Sequence, residues 1–277
     1  MPSSRKKKRQ PGDHLPLTFL PDDAYTQESR NCSMHPDEIE TIAQSCLPLM
    51  NPVTHEMIQR AGELAGISSG DVVYDLGCGN GTLLALWHDA HGIRGTGIEL
   101  RKESVAAAKR AVDEKRAGDR IQIIEGDAAA WEPDDTADCM VAIGSAFIFG
   151  GAVPALVHCE SITKPGGSII IGDRYWQSAS VPPEFAVQWP EIPTEYGLVA
   201  AARDCGLRLR GVIRASPDDH DRYESAIWQQ CIRWLDEHPT HPEREEIEEY
   251  LCKTQDEYLV YGREAFGWAI WVFVKDA

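Results

Sequence analysis

From residue 72 onward, short apolar runs alternate with longer amphipathic stretches. The runs at 72–76, 95–100, 121–125, 138–143 and 168–173 are each about five or six residues long and nearly uninterrupted in apolar character. Runs of this kind read as strands buried on both faces, not as half-exposed ones. Between them, helical spacing covers 82–87, 102–117 and 151–162. Strands alternating with helices predict an α/β fold with a mostly parallel sheet covered on both sides. Two helices at 36–49 and 53–65 precede the first strand. Pro36-Asp37-Glu38 makes a good first turn, and Gly66 is a natural stop. After the fifth strand come a helix at 195–204, a strand at 207–214, a break at Ser216-Pro217-Asp218-Asp219, helices at 221–236 and 242–253, and a last strand at 268–274.

Composition narrows the class. The 277 residues are 43% hydrophobic and 26% charged, the balance of a globular domain, which excludes a wholly disordered or repetitive chain. No apolar run reaches the roughly 18–20 residues of a membrane span, and no apolar segment follows the basic start, so neither an anchor nor a secretory leader is expected. Residues 1–30 show no period and read as a disordered polar tail, leaving 31–277 as one domain. The net charge is −17, although Arg5, Lys6, Lys7, Lys8 and Arg9 crowd the start. An acidic body repels phosphate backbones, so nucleic-acid substrates are disfavoured. The basic run itself reads as a solvated terminus, a nuclear address or a contact for a polyanion. Eight cysteines lie scattered, without a Cys-x-x-Cys pair, which points to reduced thiols in a cytoplasmic protein. His88 and His91 share a helix but have no third ligand in view, so no metal site is expected.

The chemistry concentrates in Asp75-Leu76-Gly77-Cys78-Gly79-Asn80-Gly81, which ends a strand and opens a helix. Glycines there permit a tight turn and a close ligand, and the helix start offers free amides. A dinucleotide turn would place its third glycine at position 82, which is Thr82. The observed spacing, with an acid two residues upstream, resembles that of class I S-adenosylmethionine (SAM) dependent methyltransferases. Glu99 ends the second strand roughly 20 residues on, where α/β nucleotide sites place a ribose-binding acid. Gly126-Asp127-Ala128 follows the third strand, Ile143-Gly144-Ser145 ends the fourth, and Lys164-Pro165-Gly166-Gly167 introduces the fifth.

This resemblance implies a Rossmann-like sheet of seven strands with the last antiparallel, and SAM as cofactor. It places Asp75 on the methionine moiety, Gly77, Cys78, Gly79, Asn80 and Gly81 under the cofactor, and Glu99 on the ribose, with Leu100 beside it. Asp127 and Ala128 fall at the adenine, and Ile143 beside the transferring methyl. The segments Gly172 to Trp176, Asp221 to Glu224 and Tyr261 to Trp268 resemble an uncharacterised bacterial-type group of small-molecule methyltransferases, which implies a small-molecule acceptor. No Asn/Asp-Pro-Pro-Tyr follows the fourth strand and no Pro-Cys occurs, so the motifs of several nucleic-acid enzymes are missing.

In this fold the last two strands normally form a tight hairpin. Here 215–267 intervene as a helical insertion, and its residues Tyr223, Ile227, Cys231 and Trp234 share one helix face. That stripe reads either as packing or as an acceptor lid; the helices at 36–65 are the other candidate cover. Asp173 is the expected base or amine anchor, Arg174 the anchor for an acidic acceptor group, and Tyr175 a hydrogen-bonding partner, with Tyr223 and Glu224 second in line. Three alternatives stay open: a nucleotide-dependent oxidoreductase, a non-catalytic SAM-binding module, and a methyltransferase of protein or RNA. The sequence leaves the oligomeric state open.

Overall fold

The computed structural model describes residues 34–178 and 180–277. The expected tail at 1–30, with its basic run, lies outside the described residues, as does Ser33. The sheet has the order β3-β2-β1-β4-β5-β7-β6. Its strands are β1 (Val72–Leu76), β2 (Arg94–Glu99), β3 (Ile121–Glu125), β4 (Ala137–Ile143), β5 (Thr163–Trp176), β6 (Leu207–Arg214) and β7 (Phe266–Lys275). The first five pair in parallel, and β7 runs antiparallel between β5 and β6. This is the Rossmann-like arrangement expected of the sequence.

Local chemistry sets the helix boundaries. Helix α1 (Pro36–Gln44) starts on a capping box between His35 and Glu38, and α2 (His55–Ala65) runs from the Thr54 cap to Gly66 in the left-handed region. Helices α3 (Thr82–His91), α4 (Lys102–Glu114) and α5 (Ala152–Ile162) cover the parallel strands, followed by the short α6 (Pro183–Ala186) and by α7 (Glu195–Asp204). The expected break at 216–219 is instead the start of α8 (Pro217–Glu237). Ser216 caps it, Asp219 closes a capping box, and Pro217 occupies the first turn, where no amide partner is needed. Helix α9 (Arg244–Glu257) runs into one π-helical turn at Tyr258–Gly262 and the single turn α10 (Arg263–Ala265) before β7. The expected turn at 164–167 lies within β5, at a register shift against β4 between Ala137 and Cys139.

Two apolar layers sandwich the sheet. On one face Ile58, Ala61 and Ala65 of α2 join Leu84 and Trp87 of α3 against Val73, Ile170 and Ile270. On the other, Leu156 and Cys159 of α5 and Leu198 of α7 pack on Tyr74, Met140, Ile171 and Trp271. The apolar stripe of α8 meets a different partner. Ile227, Cys231 and Leu235 pack with Ile39 and Ala43 of α1 and Ile247 of α9. The two candidate covers are therefore joined through α1, as a three-helix layer, while α2 belongs to the sheet.

Candidate active site

The crevice expected to hold the ligand is built at the carboxyl ends of β1, β2 and β4. Gly77, Gly79 and Gly81 all sit at positive φ, near +74°, +55° and +74°. A Cβ on Gly77 would fall 2.5 Å from that of Ser145, and one on Gly81 would lie 2.9 Å from that of Ala108. The turn therefore closes tightly on β4 and α4, which only glycine allows. Its amides are largely spent on the chain itself. Gly77 and Cys78 donate to the Ile98 carbonyl, and Gly79 donates to Glu99 Oε2 at 3.0 Å. The free-amide cradle expected from the sequence is thus a shaped floor, not an anion hole. The Cys78 side chain turns away from it, into the niche left by Gly97.

Asp75 and Glu99 share a face of the sheet, because Asp75 aligns with Gly97 in the β1–β2 ladder, two residues from Glu99. Glu99 is buried and accepts from the amides of Gly79 and Arg101, the latter at 2.8 Å, with the Arg101 guanidinium 3.5 Å away. Asp75 is only 4% exposed, and its carboxylate has no hydrogen-bond or ion-pair partner among the described residues. Burial, reinforced by the Glu99 charge, pushes its pKa up to about 7. An isolated buried carboxylate beside a second acid is an environment that a cation would complete. Asp127 is exposed past β3, its Oδ1 accepting from Ala129, while Ala128 is buried and Leu100 is 63% exposed at the rim. Ile143 packs on the same face as Trp268 and Val73.

The first helix, expected to run to 49, ends at Gln44, and residues 47–51 instead form a strap across this region. The Pro48 carbonyl accepts from Asn80 Nδ2 at 2.9 Å and from Thr82 Oγ1 at 3.0 Å. Met50 Sδ lies 3.1 Å from Arg101 Nη2, and the Met50 carbonyl accepts from the Tyr223 hydroxyl at 3.3 Å. The next residue, Asn51, leans over Gly144. The strap thus ties the glycine turn, the end of β2 and the end of β4 to helix α8. Thr54, the Asn51-Pro52 step and the Met50 side chain were its only sequence signals, and none has a helical or strand period.

Beyond β5 the expected catalytic residues separate. Side chains alternate along a strand, so Tyr175 joins Ile169 and Ile171 in the core beneath α7, edge-on to Trp271. Arg174 takes the other face, stacked 4.3 Å over Trp189 and 3.9 Å from Glu257 Oε1. Asp173 has the parity of Tyr175. It accepts from the Arg174 amide, and burial raises its pKa, with Glu191 adding to the rise. The three residues therefore do not line one cavity. Tyr223 and Glu224 do approach the Arg174 side. Burial and Glu257 raise Glu224 to about 7, partly offset by Arg174, and burial raises the Tyr223 phenol as well. Asp221 plays a structural part, holding Arg263 at 2.9 and 2.8 Å and the Tyr258 hydroxyl at 2.7 Å. A groove of about 1020 Å³ lies elsewhere, bounded by Tyr74, Thr96, Gln122, Arg120 and Lys164. It holds none of the site acids.

Comparison with known proteins places this geometry. A family profile described as a methyltransferase domain matches residues 73–167. The chain is 32% identical over 241 residues to the uncharacterised protein YjhP of Escherichia coli K12, covering 85% of this chain and 97% of that one. The crystal structure of YjhP superposes with a TM-score of 0.80, over 86% of this chain and 99% of the other. A SAM-dependent methyltransferase from Geobacter sulfurreducens, solved with S-adenosylhomocysteine, is 30% identical with a TM-score of 0.79, over 87% and 98% of the two chains. Erythromycin 3''-O-methyltransferase of Saccharopolyspora erythraea is 29% identical over 126 residues, 45% of this chain and 41% of that protein.

Proposed function

The chain belongs to the class I SAM-dependent methyltransferases and uses SAM as cofactor, and from that premise we propose that it methylates a small-molecule acceptor, with the cofactor lying along Asp75, Glu99 and Asp127. The observation that carries the site assignment is Asp75: buried, without a partner among the described residues, and facing a second acid. A cofactor bearing an ammonium and a sulfonium supplies the missing positive charge. Glu99 retains lone pairs on both oxygens after its two backbone bonds, enough to accept ribose hydroxyls. Gly77 to Gly81, including the backbone of Cys78 and Asn80, form the floor, with Leu100, Ala128 and Ile143 as apolar walls.

SAM, when bound, supplies a methyl group on a positively charged sulfur, open to in-line displacement. The protein's own task is to align an acceptor, exclude water and remove a proton where the acceptor arrives protonated. In our reading the strap 47–51 and helix α8 close the crevice from above, Arg174 anchors the acceptor, and Glu224 takes the proton. Glu224 is favoured over Asp173 because it lies toward Arg174, on the face that carries Asp75 and Glu99. Asp173 is the second reading, supported by its own burial. Tyr175 supports the strand from beneath.

Three features support a small acceptor: the cap over the strand ends, the acidic chain, and the partial similarity to an antibiotic O-methyltransferase. The test is transfer of a labelled methyl from SAM into a size-fractionated cell extract. Label in the low-molecular-mass fraction is the expected result. Label confined to protein or RNA would refute it.

A further inference from the structure

We propose that Asn51 grips the amino-acid end of the cofactor, its amide oxygen accepting from the α-ammonium and its amide nitrogen donating to the α-carboxylate. This rests on the crevice assignment above.

The argument starts from an unmet valence. Asn51 Oδ1 is fully buried and has no hydrogen-bond partner among the described residues. The nitrogen of the same amide bonds to no described residue either. Most buried amide oxygens in folded proteins are paired, and an exception calls for an explanation, of which a ligand group is one. Nor is the side chain misplaced by a slack backbone. The Asn51 carbonyl accepts from the Val53 amide at 2.8 Å, and the neighbouring Met50 is held by Arg101, through its sulfur, and by Tyr223, through its carbonyl. The amide is therefore presented by a braced segment.

Its location selects the ligand part. Asn51 Nδ2 lies 2.9 Å from the point a Cβ on Gly144 would occupy, and Gly144 sits at a φ of +71°. Only glycine leaves that space to the amide. Gly144 precedes Ser145, whose Cβ lies against Gly77 in the glycine turn, so β4 and the turn meet directly beneath Asn51. Asp75, the partnerless carboxylate, ends the strand that enters the same turn. The acids expected at the ribose and adenine stand farther along the sheet, on β2 and past β3. Asn51 therefore overlooks the end of the crevice away from the base. A primary amide offers two donors and an acceptor on one plane. An amino-acid zwitterion presents the complementary pair, donors on its ammonium and acceptors on its carboxylate.

Calorimetry with three ligands tests the proposal. SAM and S-adenosylhomocysteine carry the amino-acid group, whereas 5'-methylthioadenosine keeps the nucleoside and lacks it. In Asn51→Leu and in Asn51→Ala, SAM and S-adenosylhomocysteine should each bind at least tenfold more weakly. Methylthioadenosine, read by displacement where its direct heat is small, should stay within twofold of the parent protein. That preserved binding and an unchanged melting temperature certify folding in each variant. Equal weakening of all three ligands would overturn the proposal in favour of a general strap effect, and unchanged binding of all three would overturn it outright. Failure of the parent protein to bind S-adenosylhomocysteine would instead refute the crevice assignment.

Discussion

Replacing Asp75 by Asn should stabilise the ligand-free protein while weakening its grip on the cofactor. In the folded state Asp75 titrates near 7, against an ordinary value of 3.8. Because the folded pKa is the higher one, the native chain holds a proton that the unfolded chain has released between those pH values. Stability attributable to this group therefore falls as pH rises through that window and is flat above it. At about 1.4 kcal/mol per pKa unit, the penalty reaches about 4 kcal/mol at pH 8 and about 1.5 kcal/mol at pH 5. Asparagine cannot ionise, so the variant escapes a penalty of up to that size, and its gain shrinks toward pH 4. In the proposed site the aspartate meets the cofactor's ammonium, so S-adenosylhomocysteine should bind the variant about 10- to 100-fold more weakly, the scale of a lost charged hydrogen bond. In the parent protein, affinity should fall about tenfold from pH 8 to pH 6 as Asp75 takes up a proton that must leave on binding. Urea unfolding at pH 5 and pH 8, with calorimetry at both, measures all three quantities. A variant no more stable than its parent at pH 8, with unchanged affinity for S-adenosylhomocysteine, would refute the reasoning.

Glu224→Gln should lower methyl transfer into the small-molecule fraction by about 10²- to 10⁴-fold, the usual worth of a positioned base, with cofactor affinity preserved. The parent rate should rise with pH toward a plateau above about 7, the value at which Glu224 titrates, whereas Asp173→Asn should keep that profile; a pH-dependent Glu224→Gln enzyme at full rate would transfer the role to Asp173. Trp87→Phe should cost about 1–3 kcal/mol in chemical denaturation, because the fully buried indole donates to the Ile58 carbonyl at 2.9 Å and the smaller ring loses that bond and leaves a gap in the core.

The β/α alternation, the strand cores and the position of the acids 75, 99 and 127 at or just past strand ends were legible in the sequence because each depends on short-range chemistry. A strand buried on both faces must be apolar throughout, a turn at positive φ must be glycine, and parallel strands carry their ligand-facing residues at the carboxyl end. Helix starts followed the same logic, except at 216–219, where a proline read as a break serves as a first turn, and the first helix stops at Gln44, short of the expected 49. Three features were settled only by the fold. The alternation of β5 sends Tyr175 beneath α7 and Arg174 toward Glu257, so adjacent residues that look like one constellation face opposite ways. The stripe on α8 finds its partner more than 180 residues upstream, in α1, and no periodicity names a partner. The strap 47–51, whose first residues the sequence assigns to the end of the first helix, matters through the carbonyls and the amide it carries across the strand ends. Sequence encodes what each segment must bury. Which buried groups are left without a partner among the described residues, as Asp75 and Asn51 are, depends on distances between segments that only tertiary packing sets.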